Sequence, residues 1–162
     1  MLLILTSITI LSFTNNGRQS TQLTKTANPK IQAAILLDVS GSMDGLIEQA
    51  KAQLWNMVNT MGKAKCDGSV SPKIEIALYE YGRSTNDIKA GYVKLINGFI
   101  SDLDSLSQNL FSLKTNGGDE YCGHVIYSSR NESKWDIAPD NYKVIFIARN
   151  EDSLQGDVQY IK

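Results

Sequence analysis

Residues Ile31–Met43 read IQAAILLDVSGSM, and the fold turns on them. The first seven, Ile31–Leu37, form a nearly continuous apolar run. Such a run suits a strand buried on both faces of a sheet. It stops at Asp38, and Val39-Ser40-Gly41-Ser42 makes a short polar turn. Beyond the turn Leu46, Ile47, Ala50, Leu54, Met57, Val58 and Met61 recur at helical spacing, so the pattern predicts a helix from Met43 to Met61. Gly62 is a helix stop, and Lys63 and Lys65 suit the carbonyl end.

Downstream the same alternation continues. Lys73–Tyr81 (KIEIALYEY) predicts a second strand, and Tyr92–Ile96 a weaker one at an edge. Ser101, three residues before Asp104, predicts a capping-box-like start for a helix carrying Leu103, Leu106, Leu110 and Leu113. The loop Thr115–Asp119 opens a further helix with Cys122, Val125, Ile126 and Ser129 on one face, and Tyr142–Ala148 (YKVIFIA) is a second buried strand. This order implies an α/β fold: a doubly wound, mostly parallel open sheet with helices on both faces and right-handed crossovers. The ligand site of such a sheet lies beyond the carboxyl ends of its strands, which is where Asp38 falls.

Alternate residues of an extended turn face one way, so Asp38, Ser40 and Ser42 can direct three oxygens at one point. Oxygen ligands suit a hard cation, Mg²⁺ or Ca²⁺, and not zinc or copper. A strand-to-helix turn with Ser42 as N-cap would also place Ser and Asp here. The string Asp38-Val39-Ser40-Gly41-Ser42 is the D-x-S-x-S signature of the von Willebrand factor type A (VWA) domain, and residues 31–150 resemble that family in its bacterial form. Tyr81-Gly82-Arg83-Ser84 resembles the end of its second strand, and Gly117-Gly118-Asp119 falls where it supplies a second metal loop. The resemblance implies a Rossmann-like fold with a metal-ion-dependent adhesion site (MIDAS) built from Asp38, Ser40, Ser42 and Asp119. Its cation would be Mg²⁺, or Mn²⁺ or Ca²⁺, recruiting an acidic group of a protein partner. Asp119 could equally be an N-cap. Thr115 is a weaker candidate. The third loop departs from the family, since Arg149 or Asn150 stands where an Asp is usual. Arg149 would repel the cation, whereas Asn150 or Glu151 could offer an oxygen.

The remaining features narrow the function. The chain has 162 residues, 16 Lys+Arg against 17 Asp+Glu, and a net charge of −1, with no clustered basic excess for nucleic acid or an anionic membrane. The apolar run Leu2–Phe13 is too short for a bilayer-spanning helix and resembles a signal-peptide core. We therefore expect residues 1–28 to be a signal peptide and flexible leader, with no stable transmembrane segment, and residues 29–162 to be an exported, periplasmic or extracellular, VWA-like domain. The resemblance implies that this domain is partial at its C-terminus, which would leave the last strand at an open edge and stability marginal. No nucleotide-binding glycine motif is present, no G-x-S-x-G elbow surrounds Ser40 to support a triad with His124, and Asn131-Glu132-Ser133 matches a glycosylation acceptor only by a short pattern. Cys66 and Cys122 are expected at opposite ends of the fold, on the order of 25 Å apart, and unpaired. The expectation is a non-enzymatic adhesion module. The alternatives are a structural or vestigial domain that binds nothing and a metal-assisted hydrolase, for which no separate general base is evident.

Overall fold

The computed structural model of the chain describes residues 29–65, 71–139 and 141–150. Its strands are β1 (Lys30–Asp38), β2 (Lys73–Tyr81), β3 (Lys94–Ile100) and β4 (Tyr142–Ala148), and its α-helices are α1 (Ile47–Gly62), α2 (Leu103–Ser112) and α3 (Cys122–Asn131). The strands form one sheet in the order β3-β2-β1-β4. β1 runs parallel to both β2 and β4, with Asp38 beside Tyr81 at the end of the register, while β3 is antiparallel to β2. This is the open, mostly parallel α/β sheet that the two apolar runs imply, but β4 is not the second buried strand expected, since it sits at the edge of the described sheet with half-buried and exposed side chains.

Period-two alternation along β1 explains why its apolar run is unbroken. Ala33, Ile35 and Leu37 pack with Ile47, Leu54 and Val58 of α1 and with Leu106 and Leu110 of α2. Ala34 and Leu36 face the other way, toward Ala77, Tyr79, Tyr81, Cys122 and Val125. Both faces of β1 are thus covered by helices. Burial of each large aliphatic side chain contributes about 1.5–3 kcal/mol.

The elements differ from the sequence expectation mainly at their starts. A 3-10 turn spans Gly41–Met43, and α1 begins only at Ile47. Gly45 between them adopts φ +79°, which breaks the helical path. Ser42 is therefore not an N-cap. β3 begins at Lys94 and not Tyr92, because Gly91 and Tyr92 both turn left-handed and Val93 N donates back to Ala90 O. α2 is capped by Asp102, which accepts from Asp104 N and Ser105 N, and not by Ser101. In α3 the N-cap is Tyr121, not Asp119, and Ile126 is exposed at the edge of the buried stripe.

Lys51 joins the two helices of one face. It is buried, yet its Nζ donates to Leu113 O at 2.9 Å and Phe111 O at 3.4 Å and pairs with Glu48 at 2.5 Å. It thereby satisfies carbonyls that the end of α2 leaves open. Among the described residues no helix is long and apolar enough to cross a membrane. Residues 1–28, Cys66 and 151–162 lie outside the described residues, and with them the leader and signal expectation, the Cys66–Cys122 question and Glu151. Cys122 itself is a buried thiol.

Candidate metal centre

Three parallel strands end on the same side, and the loops that follow them meet there. The Asp38 side chain is fully buried at the end of β1. Its Oδ1 accepts the Ser40 amide at 2.8 Å, and its Oδ2 is buried without a hydrogen-bond partner among the described residues. Tyr81, its register partner, also buries a hydroxyl that has no partner among the described residues. Burial raises the Asp38 carboxyl to about 6; the hydrogen bonds from Ser40 oppose this and the charge of Glu120 adds to it. Burial also pushes the Tyr81 phenol upward, reinforced by the nearby Asp38 charge.

The turn after Asp38 brings Ser40 Oγ and Ser42 Oγ to 2.9 Å of one another. Glu120 Oε1 reaches both, at 2.6 and 2.7 Å. Asn150, after β4, places Oδ1 at 2.9 Å from Ser42 Oγ and donates Nδ2 to Ser42 O at 2.7 Å. Four oxygen–oxygen contacts thus converge on two hydroxyls. Each hydroxyl carries one proton, so at least two of these contacts have no hydrogen from a serine to share. The cluster is rich in acceptors and poor in donors, which is what a cation requires.

The surrounding loops hold this arrangement through backbone. Asn116 N donates to Val39 O at 2.8 Å and Ser84 N to Gly117 O at 2.9 Å. Gly82 adopts φ +80°, and a Cβ there would stand 3.0 Å from Asp38 Oδ1. A Cβ on Gly118 would collide with Gly82 O and Ser84 N. The glycines of two loops therefore let their backbones close around Asp38.

The structure brings together Asp38, Ser40 and Ser42. The acidic loop residue that joins them is Glu120, whereas Asp119 is exposed. Thr115 donates to Asp44 Oδ1 at 2.6 Å. Of the third-loop candidates, Asn150 is the one beside Ser42. Arg149 Nη1 instead donates to Cys122 Sγ at 3.6 Å on the α3 face, and burial pushes that thiol up against the lowering effect of the guanidinium. Sequence reasoning missed Glu120, although a second carboxylate beside Asp119 was a visible signal. Among the described residues no three His, Cys, Asp or Glu side chains gather to hold a metal. The candidate set is two carboxylates, two hydroxyls and an amide oxygen. The orphaned Asp38 Oδ2 and the all-oxygen donor set fit a hard divalent cation.

No protein-family model and no curated protein matches the sequence. Solved structures do. The chain is similar to the three N-terminal domains of the type V pili tip protein Mfa5 from Porphyromonas gingivalis, at 21% identity and a TM-score of 0.52, over 72% of this chain and 19% of that one. It is similar to proximal thread matrix protein 1 from the mussel byssus, determined with a zinc-occupied MIDAS motif, at 14% identity and a TM-score of 0.54, over 74% of this chain and 28% of that one. It is also similar to the pilus adhesin SpaC of Lactobacillus rhamnosus GG, at 13% identity and a TM-score of 0.51, over 76% and 15% of the respective chains. The fold is therefore VWA-like, and the chain spans well under half the length of each of these proteins.

Proposed function

We propose that the chain is a non-enzymatic, VWA-type binding module that holds a divalent cation at Asp38, Ser40, Ser42 and Glu120, with Asn150 beside them, and uses it to take up an acidic group of a protein partner. The observation that carries this reading is the acceptor-rich cluster around the buried, unpartnered Asp38 Oδ2. When bound, the cation supplies a positive centre for a partner carboxylate. The chain's own residues orient the oxygens, and the glycine loops bring backbone up close behind Asp38. Asp119, exposed at the rim, contributes charge without direct ligation. Mg²⁺ is the physiological candidate, with Mn²⁺ as the probe. The likeness to pilus-tip, pilus-adhesin and byssal-thread proteins supports protein interaction outside the cytoplasm as the setting.

Calorimetry with Mg²⁺ and Mn²⁺ tests the reading. Wild type is expected to bind, Asp38→Ala to give no heat, Glu120→Gln to lose about tenfold or more in affinity, and Asp119→Asn to change little. Equal heats from wild type and Asp38→Ala would overturn it. The second reading, a structural domain that binds nothing, draws on the third loop, where Asn150 offers a neutral amide in place of the family's acid. It expects no heat from wild type.

A further inference from the structure

Among the described residues Tyr92 is the only non-glycine with positive φ, at 57°. A bulky side chain in the left-handed region is strained, and such strain persists only where neighbours enforce it. Here they do. Tyr92 N donates to Asp87 O at 3.0 Å. Asn86 Nδ2 donates to Tyr92 O and to Glu80 Oε1, each at 3.2 Å. Glu80 is buried and also grips Arg83 at 2.9 Å through both oxygens, and Arg83 in turn donates to Lys114 O. The preceding Gly91, at φ 62°, lies so close to α3 that a Cβ would collide with His124 Nδ1.

What this clamp achieves is placement of one ring. Tyr92 stacks on Tyr121, with centroids 5.7 Å apart and planes 8° from parallel. Tyr121 directly follows Glu120, the carboxylate that reaches Ser40 and Ser42. Before Glu120 the loop is tied by Asn116 N to Val39 O, by Ser84 N to Gly117 O and by the close approach of Gly118 to Gly82. After it the next fixed point is Tyr121, the N-cap of α3, whose side chain makes no capping hydrogen bond. The stack supplies the anchor that a Ser or Asp cap would otherwise give.

We propose that Tyr92 and Tyr121 are positioning residues that hold Glu120 over the two serine hydroxyls. The proposal rests on the reading of Glu120 as a cation ligand. It accounts for an aromatic residue being kept at a strained position where glycine would fold more easily.

The experiment compares Mn²⁺ affinity and thermal unfolding of wild type, Tyr92→Phe, Tyr92→Leu and Tyr92→Gly. Tyr92→Phe keeps the stack and is expected to bind as wild type. Tyr92→Leu and Tyr92→Gly are expected to lose about tenfold in affinity, the usual scale for a residue that orients a metal ligand. Tyr92→Gly relieves the strain, so it should unfold at a higher temperature than Tyr92→Leu and still bind as weakly. Wild-type affinity in Tyr92→Gly would overturn the proposal, and so would affinities that merely follow unfolding temperature. A second arm needs no metal: a double-mutant cycle of Tyr92→Gly with Glu120→Gln in urea unfolding. Non-additive effects support placement of Glu120 by Tyr92, and additive effects overturn it. If wild type gives no Mn²⁺ heat, the cation reading fails and the cycle still decides the placement.

Discussion

Asp38 is charged in water and buried in the fold, and this conflict sets a pH dependence. Its carboxyl rises from 3.8 to about 6, chiefly through burial. The folded state therefore binds the proton more tightly than the unfolded state. The resulting stabilisation is complete below the unfolded value near 4 and is lost as pH rises through about 6. Two units correspond to on the order of 2–3 kcal/mol. In metal-free buffer the chain is thus expected to be more stable to urea at pH 4.5 than at pH 7.5, and Asp38→Asn is expected to flatten that difference. An unchanged pH profile in Asp38→Asn would place the titration elsewhere. At this scale Asp38, Ser40 and Ser42 were legible, because a five-residue turn at a strand end leaves them little freedom. The choice between Asp119 and Glu120 was not. It depends on how Gly118 seats against Gly82 and where Tyr121 starts α3, contacts between segments far apart in sequence.

Elements were legible where burial decides them and less so where turns do. The apolar run of β1 marked a strand covered on both faces, whereas that of β4 marked the strand and not its burial, because β4 pairs only with β1 at the edge of the described sheet and its side chains are half-buried or exposed. The start of β3 was hidden by the left-handed pair Gly91–Tyr92, which side-chain patterning does not report. Lys51 was hidden for another reason. It sits among the apolar positions of α1, yet it is buried because the carbonyls ending α2 supply partners. Removing its ammonium should strand those carbonyls. Lys51→Met keeps most of the stem volume and is expected to cost about 1–3 kcal/mol in urea unfolding, the scale for orphaned buried polar groups. Mn²⁺ affinity should stay unchanged, since α2 is anchored away from Glu120. A stability equal to wild type would show that the carbonyls find other partners.

Across the molecule the two ends of the sheet are built differently. The end opposite the candidate cation site is closed by charge pairs. Lys30 Nζ lies 2.8 Å from Asp136 and 3.3 Å from Glu75, and buried Gln32 bridges Glu75 and the Asp136 amide. The site end is a cluster of oxygens short of protons, so a cation should act there and its effect should reach the rest only through cooperative unfolding. Hydrogen exchange separates the two routes. β1 is paired along both edges and fully buried over most of its length, so its amides should open only with the whole fold. Saturating Mn²⁺ at about 100 times its dissociation constant should then raise their opening free energy by about 2.7 kcal/mol. β3 pairs on one side, through a register with two shifts, and should open locally without disturbing the site. Its amides are expected to exchange faster than those of β1 and to gain little from the cation. If β3 gained as much as β1, the edge strand would have to open only with the core. The clamp of Glu80, Asn86 and Tyr92 at the start of β3 would then tie the whole edge strand to the site.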